Sequence, residues 1–173
     1  SFSGFGLSAS AGDFNGDGYG DLVAGAHTFD GASPDEGRVY AYYGSPHGLL
    51  PPAGETWYVA PADQAGAFFG TSLSPAGDVN GDGFADIVIG AHGFDQPAAA
   101  DAGAAFVYLG SASGMSWKPA WNTSEAGQAG AQFGRSVASA GDVNDDGFAD
   151  IIIGAPGYSG QAAETGRIAV YRG

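Results

Sequence analysis

The sequence contains no cysteine, so it offers neither disulfide cross-links nor thiolate ligands. Only 5 residues are lysine or arginine, against 19 aspartates and glutamates, which gives a formal net charge of −14. This balance argues against a basic footprint for nucleic acid and against electrostatic attachment to an anionic membrane. No apolar run approaches the roughly 18 residues that cross a bilayer. We therefore expect no nucleic-acid partner and no membrane insertion.

Glycine is abundant instead, with 32 of the 173 residues and no Gly-X-Y period of the collagen type. Apolar residues make up 44% of the chain and aromatic residues 13%, which argues against wholesale disorder. Many glycines together with many aromatics are typical of a turn-rich, all-β protein.

The chain consists of three copies of one unit. A Phe-Gly pair recurs every 64 residues, as Phe5-Gly6, Phe69-Gly70 and Phe133-Gly134. In each copy an Asp-rich segment, a short apolar run ending in Gly-Ala and a further strand-like block follow the pair. Periods of this kind indicate a repeat architecture such as a propeller or a solenoid.

Each unit is predicted to hold about four short strands. The first runs from the Phe-Gly pair to the Asp-rich segment, and the second is the apolar run, whose isoleucines and valines predict burial on both faces. The third alternates, as in Val39-Tyr40-Ala41-Tyr42, and the fourth surrounds Trp57 or Trp121. Pro97 favours a loop over a helix at the Ala98-Ala99-Ala100 stretch. Eleven strands are expected, because the third unit stops after its third strand.

Four strands per unit predict the blade of a β-propeller, and an open solenoid is the alternative. The expected fold class is all-β, with blades of four-stranded antiparallel sheets. Residues 1–173 form a single repeat domain, with blade 1 at 1–67, blade 2 at 68–131 and blade 3, lacking its fourth strand, at 132–173. Ordinary propellers have about four to eight blades. We therefore expect either a segment of a longer propeller or a ring completed by oligomerisation, for instance two chains giving six blades.

The strongest chemical signal is Asp-x-Asn-x-Asp-Gly-x-x-Asp, which occurs once in each unit. Side-chain oxygens at positions 1, 3, 5 and 9 and the backbone carbonyl of position 7 can converge on one cation, and the glycine at position 6 permits the turn. The predicted ligands are Asp13, Asn15, Asp17, Tyr19 and Asp21 in the first unit, Asp78, Asn80, Asp82, Phe84 and Asp86 in the second, and Asp142, Asn144, Asp146, Phe148 and Asp150 in the third.

These donors are all oxygen atoms, which disfavours zinc and copper, and a flexible glycine-rich loop suits Ca²⁺ better than Mg²⁺. We expect three structural Ca²⁺ ions, one per unit. The alternative is a metal-free Asp-Gly hairpin turn. It leaves the recurring acids unexplained, since carboxylates about 4–6 Å apart repel strongly without a cation. Asp145 stands at position 4 of the third motif, where the others have glycine, and is expected to be a solvated charge.

The succession of Phe-Gly, Gly-Asp-x-Asn-Gly-Asp-Gly-x-x-Asp, apolar strand and Gly-Ala-Pro resembles the FG-GAP repeat of integrin α-subunit propellers and their bacterial relatives. Only the third unit ends in Gly154-Ala155-Pro156, whereas His27 and His92 replace the proline in the others. The resemblance implies seven-bladed propellers, with Ca²⁺ loops between strands one and two and ligands on the opposite face. It also implies an extracellular or cell-surface module that binds a protein or glycan.

No catalytic constellation is evident in the sequence. His27 and His92 occupy a turn position, His47 is isolated and expected to be exposed, and no serine has a repeated histidine partner. We therefore expect no enzyme, but a calcium-stabilised binding or adhesion module. A lectin-type propeller, a non-catalytic appendage of a secreted hydrolase and a self-assembling module remain open as alternatives.

Several further residues are candidates for a partner site. Trp57 and Trp121 are expected to anchor the core, whereas Trp117 has no counterpart in the other units and is a candidate ligand contact. Asn122-Thr123-Ser124 fits an N-glycosylation sequon. Acids between the second and third strands are expected to form a solvated rim or a cation-bridged partner site: Asp30, Asp35, Glu36, Asp95, Asp101 and Glu164.

Overall fold

A computed structural model describes residues 4–49, 58–60, 64–124, 127–160 and 165–173. These described residues form β-strands, turns and loops, with no helix among them. The strands are β1 (Phe5–Gly12), β2 (Asp21–Ala26), β3 (Arg38–Tyr42), β4 (Tyr58–Val59), β5 (Phe69–Gly77), β6 (Asp86–Ala91), β7 (Ala104–Tyr108), β8 (Trp121–Thr123), β9 (Ser136–Gly141), β10 (Asp150–Ala155) and β11 (Arg167–Tyr171). The all-β prediction is confirmed, with eleven strands in the described part of the chain.

Each unit folds into its own antiparallel sheet. The strand orders are β1-β2-β3-β4 in the first sheet and β5-β6-β7-β8 in the second. The third sheet pairs β9, β10 and β11 in the same succession. Strands adjacent in sequence are therefore adjacent in space, which is the arrangement of a propeller blade.

The strands differ in burial according to whether their sheet is the middle one of the three or one of the outer two. All six residues of β6 are buried, as its run of isoleucine and valine predicts. The predicted alternation of the third strand holds for β3, but it is wrong for β7, which is buried at all five positions. The cause is that the second sheet lies between the first and the third and is covered on both faces.

Two apolar cores hold the sheets together. The first contains Val23 and Val39 of the first sheet and Phe69 and Ile87 of the second, all fully buried. The second core joins the second and third sheets in the same way and includes Phe133. Burial of such side chains is the main favourable contribution to folding, at about 1.5–3 kcal/mol each.

A Phe-Gly pair builds each contact between neighbouring sheets, which we call a joint. In the first joint the Phe69 N–H donates to Glu36 O at 3.1 Å, and Ser8 Oγ donates to Gly70 O at 2.6 Å. A Cβ added at Gly25 would overlap Gly70 O, so the two backbones can approach this closely only because residue 25 is glycine, and a Cβ added at Gly70 would in turn collide with the Val39 side chain.

The second joint repeats the first. The Phe133 N–H donates to Ala102 O at 2.9 Å, and Ser72 Oγ donates to Gly134 O at 2.8 Å. A Cβ added at Gly90 would overlap Gly134 O, as in the first joint. One sequence motif thus produces the same backbone crossing twice in the chain.

Candidate metal-binding loops

The three Asp-rich segments connect the first and second strands of their sheets. We call them the Asp loops: residues 13–21, 78–86 and 142–150. They follow β1, β5 and β9 and lead directly into β2, β6 and β10. Each therefore occupies the same place in its blade, as the sequence predicted.

Position 1 of each loop fastens the turn. In the third loop Asp142 Oδ1 accepts the Asp146 N–H at 3.1 Å, and Asp142 Oδ2 accepts the Gly147 N–H at 2.8 Å. These backbone N–H bonds, the Gly147 bond first, hold the pKa of Asp142 below its ordinary value. Asp13 and Asp78 make the corresponding bonds at 2.8–3.1 Å.

Positions 3 and 5 are linked to each other. In the first loop Asn15 Oδ1 accepts the Asp17 N–H at 3.1 Å, and Asn15 Nδ2 donates to Asp17 Oδ2 at 2.9 Å. Asp17 Oδ1 also accepts the Tyr19 N–H at 2.8 Å. The second and third loops repeat all three bonds. Side-chain oxygens of positions 1, 3 and 5 are thus held on one turn, and each can accept a further bond.

The aspartate at position 9 is buried and braces the base of the loop. Asp86 Oδ2 accepts the Val79 N–H at 2.8 Å, and Asp86 Oδ1 accepts the Gly110 N–H at 2.9 Å, beyond the end of β7. Burial raises the pKa of Asp86 to about 6, although both N–H bonds oppose the shift. Asp21 and Asp150 are equally buried and make the same pair of bonds. This bracing role is additional to the ligand role predicted from the sequence.

The donor chemistry of the loops fits a hard divalent cation. Each loop offers two acids and one amide at positions 1, 3 and 5, together with the carbonyl of position 7 and the braced carboxylate of position 9. In the part of the chain that the structure describes, no group of three or more His, Cys, Asp or Glu side chains is arranged to hold a metal. The three ligand sets therefore remain predictions.

Asp145 differs from its counterparts without changing the turn. Its φ of 59° is close to the 70° of Gly16 and the 75° of Gly81. The side chain is exposed, which agrees with the expected solvated charge. An aspartate in this left-handed conformation is strained relative to glycine, so the third loop carries a local cost that the other two do not.

The acids between the second and third strands brace their own loops. Asp30 Oδ1 accepts the Asp35 N–H at 2.9 Å, and Asp95 Oδ1 accepts the Asp101 N–H at 2.7 Å. Asp35 and Asp101 have φ values of 50° and 51°, which these bonds help to hold. Glu164 lies outside the described residues.

The expected solvated rim is wrong for Glu36. Its side chain is buried, and Glu36 Oε2 accepts the Ser33 N–H at 2.9 Å. The backbone carbonyl of Glu36 also accepts the Phe69 N–H of the first joint. Glu36 therefore supports the contact between sheets, a role that its charge in the sequence did not suggest.

The tryptophans have different environments. Trp121 is half-buried and its ring contacts Tyr171 edge-on, with 4.8 Å between centroids, in agreement with a core anchor. Trp117 is 59% exposed and lines a cleft of about 350 Å³ together with Tyr58 and Asn122. Trp57 lies outside the described residues.

The histidines are as the sequence predicts. His27 and His92 lie in the turns that follow β2 and β6, and His47 is exposed.

An apolar cavity of about 280 Å³ lies between the second and third sheets and is lined by Trp121 and Tyr171 among others. The described residues include no helix of the length and hydropathy needed to cross a bilayer.

Comparison with known proteins identifies the repeats. The model of the FG-GAP repeat matches residues 5–42, 69–108 and 133–171. Integrin alpha-PS5 of Drosophila melanogaster is 38% identical over 159 residues, which cover 88% of this chain and 15% of the relative. Integrin alpha-IIb of Homo sapiens is 32% identical over 175 residues, covering 97% and 16%.

Integrin alpha-5 of Xenopus laevis is similarly related, with 34% identity over 174 residues, 94% of this chain and 16% of the relative. The chain thus spans about one sixth of the length of these relatives. The matched segments are the three units described above, each with its Phe-Gly pair and its Asp loop. The chain belongs to the FG-GAP repeat family.

Proposed function

We propose that this chain is a calcium-stabilised interaction module of an extracellular or cell-surface protein, and that it binds a partner without catalysing a reaction. The observation that carries the proposal is the matched arrangement of oxygen donors in the three Asp loops. Three loops with the same hydrogen bonds at positions 1, 3 and 5 are better explained if each binds the same kind of ion than if they are three turns without a ligand.

A cation would relieve the electrostatic cost of these loops. Of the 19 acidic residues, 10 lie in the Asp loops, and three divalent cations would contribute +6 and leave a net charge of −8. Position 9 adds a buried carboxylate in each loop. Burial raises the pKa of Asp86, and a nearby cation would favour the ionised form of this carboxylate. Oxygen donors alone, on glycine-rich turns, suit calcium best.

The energetic effect of the metal would be large. At a free calcium concentration about 100 times the Kd, each site adds about 2.7 kcal/mol to the free energy of unfolding. Three sites would add about 8 kcal/mol, which is comparable with the net stability of a whole domain. Calcium would therefore fix the loops and, through the position 9 braces, the ends of the third strands.

The partner is proposed to be a protein or a glycan. The relatives are named as integrin alpha chains, which supports a role in adhesion and a place outside the cell. In this arrangement the Asp loops stabilise the sheets, and the loops between the second and third strands, which lie at the other end of β2 and β6, meet the partner.

A thermal melt in EDTA, in excess Mg²⁺ and in excess Ca²⁺ tests the metal. The expected result is a midpoint that rises by many degrees in Ca²⁺ alone, with three Ca²⁺ bound per chain in a calorimetric titration. Asp146→Asn should lose one of the three ions, whereas the matched control Asp145→Asn, one residue away and outside the ligand set, should keep all three. Identical melts in the three buffers would contradict the proposal.

A second candidate function is carbohydrate binding. The observation that favours it is the cleft lined by Trp117, Tyr58 and Asn122, in which Trp117 is 59% exposed and the Arg38 guanidinium covers one face of the Tyr58 ring at 4.5 Å. Exposed aromatic faces with a polar neighbour suit the apolar faces of sugar rings. Binding on a glycan array that is lost in Trp117→Ala and retained in Tyr19→Ala, an exposed aromatic outside the cleft, would support this function. A silent array would count against it.

A further inference from the structure

The first and second Asp loops are joined to each other by hydrogen bonds that run between their sheets. In the first loop, Asp21 Oδ2 accepts the Phe14 N–H at 2.9 Å. The carbonyl of Phe14 in turn accepts the Ser111 N–H at 3.2 Å, from the segment that follows β7. The preceding residue, Gly110, donates its N–H to Asp86 of the second loop at 2.9 Å. Three successive hydrogen bonds therefore connect the position 9 carboxylates of two neighbouring loops.

The residues that make this connection are held firmly in place. Phe14 is fully buried in the first core. The segment after β7 is closed by the Ser116 N–H, which donates to Leu109 O at 2.8 Å. The same segment is fastened to the first sheet, because the Met115 N–H donates to the hydroxyl of Tyr43 at 2.7 Å. Since packed interiors transmit strain, a change at one end of the connection reaches the other end.

A second link joins the second and third Asp loops. The Ala149 N–H of the third loop donates to Asp78 O of the second at 2.9 Å. The two backbones lie close together here, since a Cβ added at Gly77 would come within 2.6 Å of Ala149 Cβ. Asp78 is a predicted ligand, and Ala149 directly precedes the predicted ligand Asp150. Each pair of neighbouring loops is thus linked through, or directly beside, its predicted ligands.

We propose that neighbouring Asp loops bind calcium cooperatively, because these links let an ion in one loop fix ligands of the next. The inference rests on the proposed calcium binding and adds how the sites act on one another. An ion that holds Asp21 also holds Phe14 and, through the segment after β7, Asp86. A loop whose ligands are already ordered loses less conformational entropy on binding its own ion, so the second ion binds more tightly than the first.

Charge acts against cooperative binding, because each bound ion makes the chain less acidic for the next ion. Interactions between exposed charges more than about 8 Å apart are largely screened at about 0.15 M salt, whereas hydrogen-bonded links are not. The measurements are therefore made at this ionic strength. With the links dominant, the loops fill over a narrower range of calcium concentration than independent sites, and the sheets are stabilised together.

Calcium titrations followed by NMR test the coupling loop by loop. The position 6 glycines donate an N–H to the position 1 carboxylate of their own loops, so their amide resonances report each loop separately: Gly18, Gly83 and Gly147. All chains carry Asp146→Asn to disable the third loop, and Asp17→Asn then disables the first. A coupling of about fivefold between two equal sites should raise the calcium midpoint at Gly83 about twofold, the square root of the coupling factor.

Ser111→Pro tests the link itself, because proline lacks the N–H that Ser111 donates to Phe14 O. In this variant the midpoint at Gly83 should be the same with and without Asp17→Asn. Ser111→Ala is the matched control, since it keeps the N–H and loses only the hydroxyl that donates to Gly114 O. The control should retain the full coupling.

Hydrogen exchange gives a second measurement that needs no proline. In the chain with Asp17→Asn and Asp146→Asn, only the second loop binds calcium. Calcium should nevertheless slow exchange of the Phe14 amide in the disabled first loop. The Phe29 amide, which lies at the other end of β2 and donates to Ala26 O, is the control for a general gain in stability and should change less.

A Gly83 midpoint that does not respond to Asp17→Asn, or a response that persists in Ser111→Pro, would overturn the proposal. If Ser111→Pro does not fold, hydrogen exchange decides, and equal slowing at Phe14 and Phe29 or no slowing at Phe14 would overturn it. Glycine resonances that do not respond to calcium would contradict the calcium sites themselves. Loops that each bind calcium but titrate independently would contradict the coupling alone.

Discussion

Gly81 of the second Asp loop lies directly against the ring of Phe148 in the third. A Cβ added at Gly81 would come within 2.6 Å of Phe148 Cε1. The first and second loops are related in the same way, since a Cβ at Gly16 would lie 2.7 Å from Phe84 Cε1. Successive loops therefore touch through a glycine and an aromatic ring, so that the order of one loop constrains the next.

Gly81→Ala is expected to destabilise the chain through this contact. The substitution adds the left-handed backbone strain, about 1–2 kcal/mol, and a collision with the Phe148 ring. Gly83→Ala is the control, because Gly83 has a φ of 89° but no described atom within 4 Å of the added Cβ. Urea unfolding should show a larger loss for Gly81→Ala. Equal losses of unfolding free energy in the two variants would mean that the Phe148 ring moves away from the added methyl group without an energetic cost.

Asp145→Gly is expected to stabilise the chain. The residue has a φ of 59°, a conformation that glycine adopts without the Cβ clash. The gain in the free energy of unfolding should be about 1 kcal/mol, measured at a protein concentration low enough to keep the chain monomeric. Asp145→Asn removes the charge but keeps the Cβ, so it should give little of this gain. A stabilisation by Asn equal to that by Gly would assign the cost to charge instead of strain.

Gly90→Ala should be more destabilising than Gly154→Ala. Both added methyl groups meet a serine Oγ of their own sheet, but only the one at Gly90 also overlaps the Gly134 carbonyl across the joint. The difference in unfolding free energy between the two variants therefore measures the overlap with the Gly134 carbonyl at the joint. Overpacking of this kind costs about 1–3 kcal/mol. Thermal and urea melts measure it. Two variants with the same midpoint would show that the backbone crossing adapts to a methyl group.

Stability is expected to fall as the pH decreases from 6.5 towards 4, in part through His92. Burial, followed by the charges of Arg135 and His27, lowers the pKa of His92 to about 4, whereas Asp101 acts in the opposite direction. The folded state therefore favours the neutral ring, and the unfolded state binds a proton first as the pH falls. His92→Gln should reduce this loss of stability, and the exposed control His47→Gln should not. The same dependence of stability on pH in the parent chain, His92→Gln and His47→Gln would contradict the assignment of this loss to His92.

The strands and the Asp loops could be predicted from the sequence because their signals are local and repeated. The apolar run of β6 and the spacing from Asp78 to Asp86 each fall within a single unit. The burial of β7 could not be predicted in this way, because it depends on two other sheets that cover the strand. Alternation along one strand gives no information about what lies on its outer face.

The hydrogen bonds by which the position 9 aspartates hold distant backbone groups could also not be predicted from the sequence. Asp86 accepts an N–H from Gly110, a bond that requires the pairing of β6 with β7 in the observed register. Glu36 was misjudged for a similar reason, since its charge is typical of a solvated loop, yet the adjoining sheet buries it. Polar residues that brace distant backbone have no local pattern by which they can be recognised.

The serine hydrogen bonds across the two joints recur at a constant spacing along the chain, and this spacing determines how the chain can become longer or shorter. Ser8 to Gly70 and Ser72 to Gly134 both span 62 residues. Adding or removing one whole unit preserves every joint. A single extra residue within a unit needs a local irregularity, as in β5, which has nine residues where β1 has eight and shifts register against β6 between Pro75 and Gly77. The segments between the second and third strands also differ by one residue between the first and second units, so small differences in length are absorbed within a unit while the spacing of the joints stays the same. The gene for such a protein can grow by duplication of complete units, with no redesign of the contacts between them.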